Sequence, residues 1–197
     1  MKISVLIPTK NEPLINELTE KTHQVLKDFK HEIVVIDKSN VTPKIKDAKL
    51  VIQKSDGLGK AVLEGLLHAT GDIIVIMDGD FSHNPKDLPK LIEASKNVDI
   101  VIGSRFIAGG KTSDETHRRL ISNVYRRFTS FILGLDVKDN MSGFSVIKKK
   151  VYDTLKLNPI GYKINLEIVY KSKNMVLRLK KFPSLLLKEK RENQRQE

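Results

Sequence analysis

The sequence predicts one α/β domain with a mostly parallel central sheet flanked by helices. Three observations lead to this fold class. The chain has 197 residues, of which 40% are hydrophobic and 30% charged, and this size and balance are typical of a single globular domain. Short runs rich in Ile and Val recur along the chain, and stretches with helical periodicity separate them. Strands that alternate with helices form βαβ units, whose sheets are mostly parallel.

The N-terminal elements are predicted from short apolar runs and from helical periodicity. Each strand is a short, mostly β-branched run, which is the pattern of a buried strand. Strands are predicted over residues 3–7, 33–36, 50–53, 73–77 and 100–102. Helices are predicted between them over residues 14–29, 60–69 and 85–94. The third helix has a clear start, because Asn84 can cap it and Pro85 suits its first position.

The C-terminal part of the chain is less regular. Apolar residues recur at helical spacing over residues 118–133, so an amphipathic helix is predicted there. A strand is predicted over residues 144–147, a helix over 164–171 and a strand over 175–182. We expect one domain over residues 1–183, followed by a basic, polar and mobile tail over residues 184–197.

The positive charge of the chain is concentrated in its C-terminal part. The formal net charge is +11, yet residues 1–110 hold 15 basic and 15 acidic side chains, whereas residues 111–197 hold 20 and 9. An anionic partner is therefore expected to meet the second part. No nucleic-acid-binding motif or aromatic platform accompanies the charge, so nucleic acid is not the expected partner.

Several kinds of site and location are excluded by what the sequence lacks. Cysteine is absent, which excludes disulfides, zinc–thiolate sites and cysteine nucleophiles. The first apolar run is too short for a signal peptide, and no apolar run reaches the ~18 residues of a membrane span. The expected location is the cytoplasm, including peripheral contact with the cytoplasmic face of a membrane. The histidines show no metal-binding spacing. His83 lies close to Asp80 and is expected to be a surface loop residue, with contact to a ligand as the alternative.

Two acidic residues directly follow the predicted strand over residues 73–77. Only Gly79 separates Asp78 from Asp80, and carboxylates this close raise each other's proton affinity unless a cation lies between them. Their oxygens are hard ligands that suit Mg²⁺ or Mn²⁺, with substrate phosphates completing the coordination shell. The alternative is a plain Asp-Gly turn whose acidic side chains are solvated.

The other predicted strands also end in polar, charged or glycine-containing segments. In a parallel sheet these ends share one edge, and ligands bind there. The segments cover residues 8–12, 37–39, 54–60 and 103–105. Residues 56–60 lack P-loop spacing, but Lys60 and the free N–H groups of a helix start could meet an anion. The alternative is a flexible loop in which Lys60 is solvated.

Taken in order, these segments resemble family-2 glycosyltransferases of the GT-A type, in particular the dolichyl-phosphate mannose synthases and related polyprenyl-phosphate hexosyltransferases. The similarity covers about residues 2–183, and it depends on the order and spacing of motifs that are individually weak. The matching stretches are residues 7–12, 34–39, 57–61, 77–85, 102–106, 118–123, 142–144 and 157–163. The resemblance implies a nucleotide-sugar-binding part over residues 1–110 and an acceptor- or membrane-facing part over residues 111–183.

The resemblance also implies roles for individual residues in an inverting, Mg²⁺- or Mn²⁺-dependent hexosyl transfer. The donor is expected to be GDP-mannose, with UDP-glucose as the alternative. Its predicted contacts are Pro8, Asn11, Glu12, Asp37, Lys60, Asp78, Gly79 and Asp80. Asp78 and Asp80 match the metal and diphosphate motif, and Ser82 is a weaker third ligand. The positions that match those near the acceptor phosphate and the leaving diphosphate are Arg105, Arg118 and Ser122.

The acceptor decides whether the reaction needs a general base. A phosphate acceptor is largely a dianion at neutral pH because its second pKa is ~6, whereas a hydroxyl acceptor needs a carboxylate base. Asp139 is the one candidate base that the sequence offers. Clustered arginines favour a polyprenyl phosphate acceptor, since arginine binds phosphate bidentately. The basic helix over residues 118–133 either lies on an anionic membrane or packs on the domain, and a membrane subunit is a further partner left open.

Other functions stay open on the sequence alone. One is transfer to a soluble hydroxyl acceptor. Another is a non-catalytic nucleotide-sugar-binding scaffold, because the usual acidic pair after the second strand is reduced to Asp37. The family's C-terminal Arg-x-x-Gly-x-Ser-Lys segment is also only loosely matched by residues 191–195. A basic nucleic-acid-binding module is a third and weaker alternative.

Overall fold

The computed structural model describes residues 1–104, 111–112, 143–161, 164–173, 175, 177–183 and 185–186. The strands are β1 Ile3–Thr9, β2 His31–Asp37, β3 Lys49–Ile52, β4 Ile73–Ile76, β5 Ile100–Ser104, β6 Lys111–Thr112, β7 Ser145–Lys148, β8 Leu179–Pro183 and β9 Leu185–Leu186. The helices are α1 Ile15–Val25, α2 Leu58–His68, α3 Leu88–Ala94, α4 Lys149–Leu155 and α5 Ile164–Lys173. A 3-10 turn over Pro85–Asp87 precedes α3.

Seven strands form one sheet in the order β3-β2-β1-β4-β7-β5-β8. Neighbouring strands are parallel except at β7, which runs antiparallel to both β4 and β5. Because β4 and β5 both oppose β7, they point in the same direction. The last residues of β1 to β5 therefore lie at one edge of the sheet, which we call the carboxyl edge. The predicted α/β fold with a mostly parallel sheet is confirmed.

The central strands are buried on both faces, which explains why β1 and β4 are mostly apolar, whereas the edge strands β3 and β8 are partly exposed. Successive side chains of a strand point to opposite faces, so Leu6 packs in one hydrophobic cluster while Val5 and Ile7 pack in the other. The cluster around Leu6 includes residues of α2, α4 and α5. The cluster around Val5 and Ile7 includes residues of α1 and α3. The helices thus cover the two faces and leave the carboxyl edge for loops.

Most predicted elements are present, with shifted bounds. Asn84 caps the turn before α3 as predicted, because its side chain accepts a hydrogen bond from Lys86 N–H at 3.1 Å. Helix α1 ends at Val25 instead of residue 29, and the Phe29 N–H bonds back to Leu26 O at 2.8 Å in a turn. Helix α4 was not predicted at all. The last predicted strand begins at Leu179 and not at residue 175.

The edge of the sheet opposite the carboxyl edge is fixed by the carboxylate of Glu32. Its oxygens accept hydrogen bonds from Lys2 Nζ at 2.7 Å, from Ser4 Oγ at 2.5 Å and from Thr70 N–H at 2.7 Å. Burial acts to raise the pKa of Glu32, but these hydrogen bonds outweigh it and lower the pKa to about 2. The ionised carboxylate therefore ties β2 to β1 and to the segment that precedes β4.

Across the ranges that the structure describes, no helix is both long enough and apolar enough to span a membrane.

Candidate active site

The carboxyl edge brings together the segments that follow β1, β2 and β4. Lys38 N–H donates to Thr9 O at 3.0 Å, and Gln53 N–H donates to Asp37 O at 2.8 Å. Met77 N–H donates to Leu6 O at 3.1 Å. Strand pairing thus continues to the point where the polar segments begin. These predicted strand ends meet, as the parallel topology requires.

Asp37 orders the loop after β2. The side chain is buried, and its two oxygens accept hydrogen bonds from the Ser39 hydroxyl at 2.5 Å and the Ser39 N–H at 3.1 Å. Ser39 Oγ accepts the Asn11 N–H at 2.6 Å, and Asn11 Oδ1 accepts the Asn40 N–H at 3.0 Å. Asn11 has a φ of 52°, a conformation that asparagine tolerates better than most residues. Asp37 therefore acts within the protein on the loop beside Asn11, and contact of either residue with a donor stays a prediction.

The end of β1 supplies two buried residues and one unpaired hydroxyl. Pro8 is buried within β1, and Glu12 is also buried. Thr9 Oγ1 is buried and has no hydrogen-bond partner among the described residues. Buried polar atoms are rarely left unpaired, so a ligand at this edge could satisfy this hydroxyl.

The start of α2 is occupied by another part of the chain. Gly59 N–H donates to Gly161 O at 2.7 Å, and a Cβ on Gly59 would lie 2.6 Å from Pro159 Cβ. Gly57, with a φ of 94°, precedes the helix. The expectation that the N–H groups of this helix start are free for an anion is wrong for Gly59, because the 156–161 segment uses that donor. Lys60 is exposed in the first turn, and its contact with the donor stays a prediction.

The acidic segment after β4 lies against the end of β1. Asp78 and Asp80 are half-buried, and a Cβ on Gly79 would lie 3.2 Å from Thr9 Oγ1 and 3.3 Å from Pro8 O. Only glycine lets the two backbones approach this closely at ease. Asp80 Oδ1 accepts the Ser82 N–H at 2.9 Å, so the segment curls back on itself.

A strained residue follows the acidic pair. Phe81 is buried and has a φ of 61°, which is unfavourable for a bulky side chain. Its ring belongs to the same hydrophobic cluster as Val5, and Lys21 Nζ lies 5.1 Å from the ring centroid. Burial of the ring holds the strained turn, a feature that concentrates at functional sites.

His83 belongs to the site, although it was expected on the surface. Only 3% of the residue is exposed, and its Nε2 lies 3.0 Å from Asp78 Oδ2. Its ring stacks on Phe144 with 4.9 Å between centroids and 17° between planes. The surface assignment was wrong because Phe144, which the fold brings to the ring, is 61 positions away in the sequence.

Gly143 completes the surroundings of Asp78. A Cβ at this position would lie 2.6 Å from Asp78 Oδ1 and 2.5 Å from Oδ2. The backbone before β7 therefore passes directly against the carboxylate. Segments 142–144 and 77–85 both carry the family resemblance, so each could be singled out from the sequence. Nothing in the sequence indicated that the two segments touch.

The ligand set at the exit of β4 fits a hard divalent cation. Magnesium is commonly held by one or two protein carboxylates, with waters and substrate phosphates in the remaining positions. Asp78 and Asp80 could supply two such carboxylates. No group of three or more His, Asp or Glu side chains suited to a metal occurs within the described ranges. The role of Ser82 as a ligand stays a prediction.

Part of the predicted site lies outside the described residues. This applies to the acceptor-side residues Arg105, Arg118, Ser122 and Asp139, to the predicted helix over residues 118–133 and to most of the 184–197 tail.

Known proteins support the assignment of a family. The profile described as "Glycosyl transferase family 2" matches residues 4–156. The chain is 39% identical to the dolichol-phosphate mannosyltransferase of Pyrococcus furiosus over 188 residues, which cover 88% of this chain and 53% of the relative. It is 33% identical to the undecaprenyl-phosphate mannosyltransferase of Micrococcus luteus over 135 residues, covering 65% of this chain and 56% of the relative. The chain thus spans about half the length of these curated relatives.

Solved structures support the fold. The glucosyl-3-phosphoglycerate synthase of Mycobacterium tuberculosis, crystallised with Mn²⁺, UDP and phosphoglyceric acid, superposes with a TM-score of 0.74. The alignment covers 96% of this chain and 70% of that one, at 19% identity. The crystal form of the same enzyme with Mg²⁺ and UDP also gives 0.74, at 18% identity, with coverage of 96% and 71%. The GT-A type of fold is confirmed, and the chain belongs to glycosyl transferase family 2.

Proposed function

We propose that this protein is a metal-dependent glycosyltransferase that transfers a hexose to a polyprenyl phosphate with inversion. Mannose from GDP-mannose is the proposed substrate, and a UDP-sugar such as UDP-glucose is the alternative donor. One observation carries the proposal: the acidic pair Asp78 and Asp80 follows β4 at the carboxyl edge, beside the end of β1. The names of the 33–39% identical relatives, which specify transfer of mannose to dolichol phosphate or undecaprenyl phosphate, support the same substrate class.

The chemistry requires charge to be stabilised on the leaving group. Breaking the anomeric C–O bond to a diphosphate puts positive charge on the sugar and negative charge on the diphosphate. Asp78 and Asp80 would hold Mg²⁺ or Mn²⁺, which when bound stabilises the departing diphosphate. Arg105 and Arg118 would add charge-assisted hydrogen bonds to phosphate oxygens.

A phosphate acceptor needs no general base. One of its oxygens attacks the anomeric carbon on the face opposite the leaving diphosphate, which inverts that centre. No proton has to be removed, because the phosphate is already largely ionised. The effect of replacing Asp139 therefore distinguishes a phosphate acceptor from a hydroxyl acceptor. Replacement Asp139→Asn should leave transfer to a polyprenyl phosphate largely intact but abolish transfer to a hydroxyl, which needs the base.

The proposed acceptor is a lipid, so we also propose that the protein works at a membrane surface. The excess of basic residues in positions 111–197 is the feature that suits an anionic headgroup layer. Recruitment by a membrane subunit would serve the same purpose.

The direct test is transfer of radiolabelled mannose from GDP-mannose to a short polyprenyl phosphate in the presence of Mg²⁺ or Mn²⁺. The expected result is label that extracts into chloroform, and UDP-glucose is run in parallel as the second donor. Asp80→Ala should abolish the transfer while the chain stays folded by circular dichroism. Folded protein that binds the donor but labels no acceptor would favour the scaffold alternative and refute the proposal.

A further inference from the structure

The His83 ring is held in one position by its neighbours. It is buried, its face stacks on Phe144, and its edge meets Asp78 through Nε2 at 3.0 Å. Because an ionised carboxylate only accepts hydrogen bonds, Nε2 carries the hydrogen and donates it. The other ring nitrogen, Nδ1, is buried with no hydrogen-bond partner in the described part of the chain. Among the described residues, the polar contact of the ring is therefore the one to Asp78.

The same carboxylate also lies against the backbone at Gly143, where an added Cβ would be 2.5 Å from Oδ2 and 2.6 Å from Oδ1. The carboxylate is therefore in contact with a buried donor from the loop before α3 and with the backbone of the segment before β7. Packing of a loop would not require a buried imidazole, since an apolar ring could stack on Phe144 equally well.

We propose that His83 is a positioning residue that orients the Asp78 carboxylate for the metal–diphosphate site. The inference rests on the proposed function, because it assigns Asp78 to that site. Partners that hold a metal-binding side chain typically change metal affinity or activity 10- to 100-fold when they are removed. His83 differs from the residues predicted to bind the donor in that it acts through Asp78.

The test compares three replacements of His83. In His83→Gln the amide nitrogen can take the place of Nε2 and still donate to Asp78. In His83→Asn the shorter amide takes the place of Nδ1, which has no described partner, so the hydrogen bond is lost. His83→Leu also removes the donor but fills the space beside Phe144. It serves as the second variant without a donor if His83→Asn does not fold. His68→Asn, in the last turn of α2, is the matched control.

The readout is the affinity for GDP-mannose by calorimetry, measured once with MnCl₂ and once with EDTA. A purely structural role would weaken both affinities alike, whereas a positioning role weakens only the part that depends on Mn²⁺. We expect His83→Asn and His83→Leu to lose about 10- to 100-fold of the Mn²⁺-dependent affinity. His83→Gln should retain most of it, and the His68 control should match the wild type.

Each other outcome overturns the proposal. It is wrong if all three variants keep the Mn²⁺-dependent affinity, if His83→Gln falls as far as His83→Asn, or if the losses are equal in EDTA. It is also wrong if the wild type binds the donor without any dependence on Mn²⁺. Failure of the proposed function looks different: wild type that shows Mn²⁺-dependent binding but no transfer refutes the polyprenyl-phosphate reaction, while the variants still decide the role of His83.

Discussion

The replacement Gly143→Ala tests how the position of the Asp78 carboxylate affects activity, separately from the stability of the fold. The added Cβ would lie 2.5 Å and 2.6 Å from the two carboxylate oxygens. A carbon–oxygen contact is comfortable at about 3.3 Å, so the carboxylate must retreat by roughly 0.7–0.8 Å. His83 donates to the same carboxylate, so the movement also disturbs that hydrogen bond. The Asp78 side chain, which we propose as a ligand of the metal that holds the diphosphate, is therefore displaced.

A misplacement of about 1 Å at a reacting centre can cost about 100-fold in rate. We therefore expect Gly143→Ala to lower kcat/KM for mannosyl transfer by roughly 10- to 100-fold, which is about 1.4–2.7 kcal/mol in the barrier. The assay is initial-rate transfer from GDP-mannose to polyprenyl phosphate, with thermal unfolding followed on the same samples.

The matched control is Gly65→Ala in α2, whose added Cβ would lie 2.7 Å from Ile36 Cδ1 in the hydrophobic core. This change should lower the midpoint temperature of unfolding. At temperatures below that midpoint, kcat/KM should fall much less than in Gly143→Ala. A Gly143→Ala variant with wild-type kcat/KM, or one that loses no more activity than Gly65→Ala at the same fraction folded, would refute the reasoning.

Two further predictions concern stability. Tyr152 is buried, burial raises the pKa of its hydroxyl, and that hydroxyl has no hydrogen-bond partner in the described ranges. Tyr152→Phe should therefore raise the free energy of unfolding by about 1 kcal/mol, seen as a midpoint higher by roughly 2–4 °C; a lower midpoint would contradict this. The pKa of Glu32 falls from 4.5 to about 2 on folding, so its ionised form stabilises the protein above pH 4.5, and this contribution disappears as the pH falls towards 2. Because Glu32 is partly exposed, Glu32→Gln should cost only about 1–2 kcal/mol at pH 7 in urea unfolding. The difference in the free energy of unfolding between Glu32→Gln and the wild type should become smaller below pH 4.5. If that difference does not depend on pH, the ionised Glu32 carboxylate does not stabilise the fold.

The strands and the carboxyl edge were predictable from the sequence for a clear physical reason. A sheet buried on both faces requires runs such as Ile73–Ile76 to be apolar at every position, and such runs are visible without any knowledge of pairing. The acidic residues that end this run are local too, so Asp78 and Asp80 could be named as a site. The helix cap at Asn84 depends on residues within one turn, and it was also predicted.

Features that depend on distant pairing were not predictable. Strand β7 lies between β4 and β5 although it comes later in the chain, and no local pattern determines that order. Helix α4 has only seven residues, and Val151, Tyr152 and Leu155 are too few to separate a helix from a buried strand by periodicity. The engagement of Gly59 with Gly161 likewise joins segments about 100 positions apart.

The most direct test of the central claim is the dependence of donor binding on a divalent ion and on Asp80. GDP-mannose is titrated calorimetrically into wild type and Asp80→Ala, each with MnCl₂ and with EDTA. We expect Mn²⁺ to strengthen binding to the wild type and to have no such effect on Asp80→Ala. Equal affinity of the two proteins in Mn²⁺, with the variant still folded, would contradict it.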